Sequence, residues 1–197
     1  NALKELGKLD EAVTSYRKAL ALNPDLAEAH NNLGRVLQDL GKLEEALASY
    51  HKALTVKPED ADAHNNLGNA LQDLGKVEEA IASYRRALSL KPDYTEAHYN
   101  LGNALRHFGK LEEAVASYHN ALAVKPNYTE AHNNLGGVLQ SLGKLEEAVA
   151  SYRTVLGLKP DFAEAHYNLG NALQELGKLE EAIASYRKAL ALEPDLP

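Results

Sequence analysis

The chain has 197 residues, with 21 Lys and Arg against 28 Asp and Glu, a net charge of −7, and no Cys, Met or Trp. That balance gives no attraction to a phosphate backbone or an anionic lipid surface, so neither nucleic acid nor membrane is expected as a partner. The lack of cysteine excludes disulfides, thiolate zinc sites and a cysteine nucleophile; no apolar run is long enough to span a bilayer, and with no secretory signal in view a cytoplasmic location is expected.

Proline and glycine recur at a fixed step. Pro24, Pro58, Pro92, Pro126, Pro160 and Pro194 stand 34 residues apart, as do Gly7, Gly41, Gly75, Gly109, Gly143 and Gly177, and again Gly34, Gly68, Gly102, Gly136 and Gly170. A period of this size marks an array of stacked supersecondary units. The chain divides into a partial unit, 1–26, and five full units, 27–60, 61–94, 95–128, 129–162 and 163–196, read as a single array over 1–197. Positions within a unit are numbered from 1, with Ala27 at position 1.

From the amino end, residues 1–26 begin inside a first helix, with Gly7 at the place where that helix should end. Each full unit then reads as two helices. In 61–94, Ala63, His64, Leu67, Gly68, Ala70, Leu71 and Leu74 share one arc, and Asp62, Asn65, Asn66, Asn69, Gln72 and Asp73 share the opposite one. That is an amphipathic helix with a polar face. Gly75 supplies a left-handed C-cap. A second helix begins near Val77 with Glu78 and Glu79 in its first turn, where the helix dipole favours anions. It buries Val77, Ala80, Ile81, Tyr84, Ala87 and Leu88, and Pro92 stops it. Asp93 with Glu96, Asp25 with Glu28 and Asp161 with Glu164 have the spacing of a capping box for the following first helix. A coiled coil is excluded, because Gly or Pro interrupts each helix before three heptads accumulate. Both ends read as cut, leaving apolar edges at Leu3 and Leu6 and at Ile183, Tyr186 and Leu190, so weak end-to-end self-association is expected.

These units resemble the tetratricopeptide repeat, a 34-residue helix–turn–helix with the pattern W-x2-L-G-x2-Y, then A-x3-F, then P. Here the pattern runs His64-x2-Leu67-Gly68-x2-Leu71, then Ala80-x3-Tyr84, then Pro92. The changes of His for Trp, Leu for Tyr and Tyr for Phe are a consistent repacking. The resemblance implies an all-α solenoid of helix–turn–helix units stacked into a right-handed superhelix, with the first helices lining a concave groove.

His30, His64, His98, His132 and His166 sit at position 4 on the apolar arc. Neighbouring copies are about a helix-packing distance apart, roughly 8–10 Å, too far to share a zinc ion. They read as packing residues that each need a hydrogen-bond partner. Ser49, Ser83, Ser117, Ser151 and Ser185 at position 23 lack a recurring His and Asp and a glycine elbow, so they do not read as nucleophiles. The repeat accounts for every glycine except Gly137 and Gly157, which leaves no phosphate-binding loop. No catalytic residue, metal or cofactor is expected, and the chain is read as a non-enzyme.

The informative row is position 6: Asn32, Asn66, Asn100, Asn134 and Asn168. Asparagine is a mediocre helix former, and its amide donates and accepts at once, which suits the backbone of an extended peptide. Around it lie Asn65, Tyr99, Asn133 and Tyr167, with Asn31, at position 5, and Arg35, Asn69, Asn103 and Asn171, with Gly137, at position 9. These residues are the candidate peptide-binding surface of a protein–protein interaction scaffold. A second reading stays open, in which the row bridges neighbouring repeats. Position 2 carries acids that belong to helix starts, and with Lys4, Glu5, Arg35, Asp39, Asp73, Arg106 and Glu175 the face is mixed to mildly acidic. Acids and amides stand where a clamp for the acidic tails of heat-shock chaperones needs bases, so that adaptor role is rejected. The wording of Glu96–Leu105 is also similar to the arms of O-linked N-acetylglucosamine transferases, which implies the alternative of a substrate-recognition arm cut from a larger protein O-glycosyltransferase.

Overall fold

The structure is a computed structural model that describes the backbone of residues 2–195 and the side chains of residues 7–195. Leu3, Lys4, Glu5 and Leu6, to which the sequence assigns an apolar edge and part of the face charge, lie outside the described side chains. Among the described residues there are eleven helices: α1 (Ala2–Leu22), α2 (Ala27–Asp39), α3 (Leu43–Val56), α4 (Ala61–Asp73), α5 (Val77–Leu90), α6 (Thr95–His107), α7 (Leu111–Val124), α8 (Thr129–Ser141), α9 (Leu145–Leu158), α10 (Ala163–Glu175) and α11 (Leu179–Leu192). They fall into two compact units, Asn1–Ala104 and Leu105–Pro197, with the boundary inside α6. Within the units the 13- and 14-residue helices pair as α2 with α3, α4 with α5, α8 with α9 and α10 with α11, and the pairs stack through α3 on α4 in the first unit and α9 on α10 in the second.

The pairs are made by a glycine turn. Gly75 has φ +75°, and the N–H of Lys76 donates to the carbonyl of Leu71 at 2.8 Å. That left-handed residue satisfies the last carbonyls of α4 and turns the chain back within three residues. Gly41, Gly109, Gly143 and Gly177 repeat it, whereas Gly7 does not. The expected break at Gly7 is absent: α1 runs through it from Ala2 to Leu22. The helix carries the glycine in its interior at the modest cost such a residue imposes there.

The capping boxes expected at Asp25, Asp93 and Asp161 are not formed either. Helices α2 and α10 have Leu26 and Phe162 as their N-cap residues and no side-chain cap bond. Each aspartate lies one residue too early, in the turn after the proline. That turn is held differently, by Lys91 over the Tyr94 ring, Lys125 over Tyr128 and Lys159 over Phe162, at 4.5, 4.5 and 4.8 Å from the ring centroids. Asp60 takes the ring's place in its unit and does cap α4, accepting from the N–H groups of Asp62 and Ala63 at 3.1 Å. At Tyr94, Tyr128 and Phe162 a ring at that place offers both apolar area and a face for the lysine.

The core is built from small residues facing one large one. A Cβ added to Gly34, Gly68, Gly136 or Gly170 would lie 2.5–2.6 Å from a ring carbon of Tyr50, Tyr84, Tyr152 or Tyr186 respectively. The Tyr50, Tyr84 and Tyr152 side chains are almost wholly enclosed there. Their hydroxyls reach the first-helix face, where Tyr50 donates to Gln38 at 3.1 Å and Tyr84 to Asn69 at 2.8 Å and Gln72 at 3.2 Å. Ser83 joins the expected stripe of α5 because its hydroxyl donates back to the carbonyl of Glu79 at 3.0 Å, and Ser49, Ser117 and Ser185 do the same. At the far end of the second unit Ile183 and Leu190 are half exposed, 49% and 50%. Their counterparts Ile81 and Val149, and Leu122, are at most 9% exposed.

Burial raises the phenol pKa of Tyr50, Tyr84 and Tyr152 well above the usual tyrosine value, and nearby Asp39, Asp73 and Glu164 add to the effect in turn. In the unfolded chain the same phenols ionise near pH 10. Stability from these groups is therefore complete below about pH 10 and falls as the pH rises past it. Thermal melts between pH 8 and 11.5 are expected to show a flat Tm up to that point and a steep decline beyond. A Tm that holds to pH 11 would show that the rings can ionise in place.

Candidate functional site

The first helices present their polar arcs on one face of each unit. In Asn1–Ala104 that face borders an open hollow of about 640 Å³, lined by Asn31, Asn32, Arg35 and Asn66 from α2 and α4, with Asp62 and Tyr94 at its rim. In Leu105–Pro197 the corresponding hollow is about 480 Å³, with Arg106, Asn134, Gly137, Ser141, Asn168 and Glu175 among its walls. The position-6 amides Asn32, Asn66, Asn100, Asn134 and Asn168 are all half-buried.

The amides are tied to one another from repeat to repeat. The Nδ2 group of Asn66 donates to Oδ1 of Asn31 at 3.1 Å, and that of Asn100 donates to Oδ1 of Asn65 at 3.2 Å and of Asn69 at 3.0 Å. In the second unit Asn168 donates to Asn133 at 3.5 Å, and Asn133 donates to Glu164 at 3.0 Å. This bonding explains a difference from the expected helix wheel: Asn65 and Asn133, placed on the polar arc, are buried at 5% and 7% exposure. A position that faces solvent on one helix is covered once the next pair stacks on it. Tyr99 and Tyr167 are half-buried on the same face, Tyr167 tilted against Tyr186 with ring centroids 5.9 Å apart. Asn69, Asn103 and Asn171 are half-buried, and Arg35 is exposed.

A second row lies beside the first. Gln38 Nε2 donates to Asp73 of the following repeat at 2.6 Å, and Gln140 Nε2 donates to Glu175 in the same way. Each glutamine also accepts from the buried tyrosine of its own repeat, Tyr50 or Tyr152. Core, face and next repeat are thus joined through one amide. Sequence reading put Gln72 and Asp73 on the polar arc without seeing this link, since the partners are 35 residues apart.

The histidines hold the turns. The Nε2–H of His30, His64, His98, His132 and His166 donates to the carbonyl of the proline six residues earlier, at 2.8–3.0 Å. A carbonyl only accepts, which fixes the ring tautomer. No group of His, Asp or Glu among the described residues is arranged to hold a metal ion. No helix among them is long and apolar enough to cross a membrane.

A family profile described as the TPR repeat matches residues 1–41, 34–75, 68–107, 102–143 and 138–177, and one described as the tetratricopeptide repeat matches 163–196. The chain belongs to the tetratricopeptide repeat family. Among solved structures, this tetratricopeptide chain is similar to YrrB, a TPR protein with an unusual peptide-binding site, at 29% identity and a TM-score of 0.80, covering 91% of this chain and 93% of that one. It is similar to MamA at 28% identity and a TM-score of 0.79, covering 82% and 95%. It shares the fold of MamA 41-end from Desulfovibrio magneticus RS-1 at 23% identity and a TM-score of 0.80, covering 85% and 95%. No curated protein matches this tetratricopeptide chain by sequence.

Proposed function

We propose that this tetratricopeptide protein is a non-catalytic interaction scaffold that holds an extended segment of a partner protein against the first-helix face, with the asparagine row as its backbone-binding element. The observation that carries the reading is the pair of polar hollows, both lined by position-6 amides, Asn32 and Asn66 in one unit and Asn134 and Asn168 in the other. An amide has two donor hydrogens and two acceptor lone pairs, so an Nδ2 group that gives one hydrogen to a neighbouring repeat still carries a second. The row can serve packing and ligand together. The peptide-binding site of YrrB, at 29% identity over most of both chains, supports the same direction.

The test is the triple variant Asn66→Ala, Asn100→Ala and Asn134→Ala, assayed against a peptide selected by display on the wild type. Three lost hydrogen bonds at about 0.5–1.5 kcal/mol each give an expected loss of affinity between roughly tenfold and a thousandfold. Circular dichroism at the assay temperature is expected to stay helical. Unchanged affinity in a folded triple variant would assign the row to bridging between repeats alone.

A further inference from the structure

The middle of the chain departs from its own repeat at three places that meet. Position 12 is Gln38, Gln72, Gln140 and Gln174 elsewhere, but Arg106 in the unit 95–128. In the following unit, position 13 is Ser141 where three other units have Asp39, Asp73 and Glu175 and the unit 95–128 has His107, and position 9 is Gly137 where they have Arg35 or asparagine. In two places an acid of the following repeat stands opposite position 12, Asp73 opposite Gln38 and Glu175 opposite Gln140. At Arg106 that acid is missing, and so is the position-9 side chain beside it.

Arg106, Gly137 and Ser141 line one hollow, the polar one of the second unit. The guanidinium is half-buried and forms no hydrogen bond or ion pair among the described residues. The two carboxylates in the same hollow are both engaged, Glu164 by Asn133 and Glu175 by Gln140. Gly137 has no backbone reason to be glycine, since its φ is not positive. Packing does not require it either, because an added Cβ would meet only the Tyr152 hydroxyl, at 3.7 Å. A glycine inside a helix costs stability relative to alanine. Gly137 lines the same hollow as Arg106, which a side chain at 137 would narrow.

We propose that Arg106 is the base of a socket that takes one aspartate or glutamate side chain from the bound peptide, in the place of the acid the repeat omits at Ser141. A guanidinium offers a planar fork of donors that matches a carboxylate in two parallel bonds. Glu164 and Glu175 line the same hollow and oppose every incoming anion, so only a carboxylate in direct contact with the guanidinium is held, and an acidic run is disfavoured. The inference rests on the peptide-binding reading above.

The experiment is a peptide display selection run in parallel on the wild type and on Arg106→Gln, using N-acetylated, C-terminally amidated decapeptides so that only side chains carry acid. Arg106→Gln and a second variant, Ser141→Asp, each restore the residue type of the other repeats, and thermal melts matching the wild type verify folding. Peptides selected on the wild type are expected to share one acidic position absent from those selected on Arg106→Gln. Changing that Glu to Gln in the best peptide is expected to weaken wild-type binding roughly tenfold and to leave Arg106→Gln and Ser141→Asp unaffected. Selected peptides that bind but share no acidic position, or a Glu preference that survives in Arg106→Gln, overturn the socket and leave the scaffold reading standing. Failure to select any peptide on either protein overturns both.

Discussion

Truncation of Tyr84 to alanine is expected to destabilise the unit Asn1–Ala104 by about 3–5 kcal/mol, the range for removing a large aromatic side chain from a packed core. The ring is 1% exposed and lies directly beneath Gly68. Nothing can collapse into the void, because the wall above it is helix backbone with no side chain at that residue. The lost hydroxyl also leaves Asn69 and Gln72 without the donor that reaches them at 2.8 and 3.2 Å. Tyr84→Phe keeps the ring and removes only those bonds, so it should cost about 0.5–1.5 kcal/mol. Urea unfolding followed by circular dichroism separates the two. In a stacked array each pair is stabilised by its neighbours, so the alanine variant should also broaden the transition as the array loses cooperativity. A Tyr84→Ala penalty no larger than that of Tyr84→Phe would mean that the ring contributes nothing beyond its hydroxyl.

The second large effect has the opposite geometry. Gly68→Ala is expected to destabilise by about 1–3 kcal/mol through overpacking. Helix propensity alone predicts the reverse, a gain of about 0.5–1 kcal/mol for replacing a mid-helix glycine. The contact decides between them: the new Cβ would stand 2.5 Å from Cε1 and 2.7 Å from Cδ1 of Tyr84. These are parts of a rigid ring enclosed on all sides, so neither can swing aside. The two variants must then be strongly coupled. In the Tyr84→Ala background the clash is gone, and Gly68→Ala should become neutral or stabilising. Gly157→Ala is the control, a helical glycine in α9 with nothing within 4 Å of its added Cβ, where propensity acts alone and a small gain is expected. Additive behaviour of Gly68→Ala and Tyr84→Ala would refute the paired glycine–tyrosine account of the core.

Much of this architecture is legible residue by residue. The step from Pro24 to Pro194, the second glycine series and the amphipathic arcs place the paired helices α2 to α11 within a residue or two, because each helix is specified by its own periodicity and its own stop signals. Val77 opens α5 and Gly75 adopts positive φ for reasons local to those residues. The errors were also local. Asp25 and Asp161 have the chemistry of caps but stand one residue early, and a one-residue offset is invisible without the turn that follows the proline. Gly7 belongs to the turn series by spacing, yet α1 runs straight through it from Ala2 to Leu22.

The candidate site divides along the same line. The sequence by itself determined the period, the helix pairs, the residues facing inward and the existence of an amide row at position 6, since these follow from hydrophobic spacing and backbone preference over a dozen residues. Only the tertiary structure decided that Asn65 and Asn133 are buried, that Asn66 and Asn100 reach back to the preceding repeat, and that Tyr84 fills the space above which Gly68 has no side chain. It also decided that Arg106 faces Ser141 and Gly137 across a shared hollow. Partners such as Gln38 and Asp73 meet 35 residues apart because stacking brings equivalent faces of successive repeats into contact. Distance along the chain carries no energy of its own, and the contact exists only once the pairs have packed.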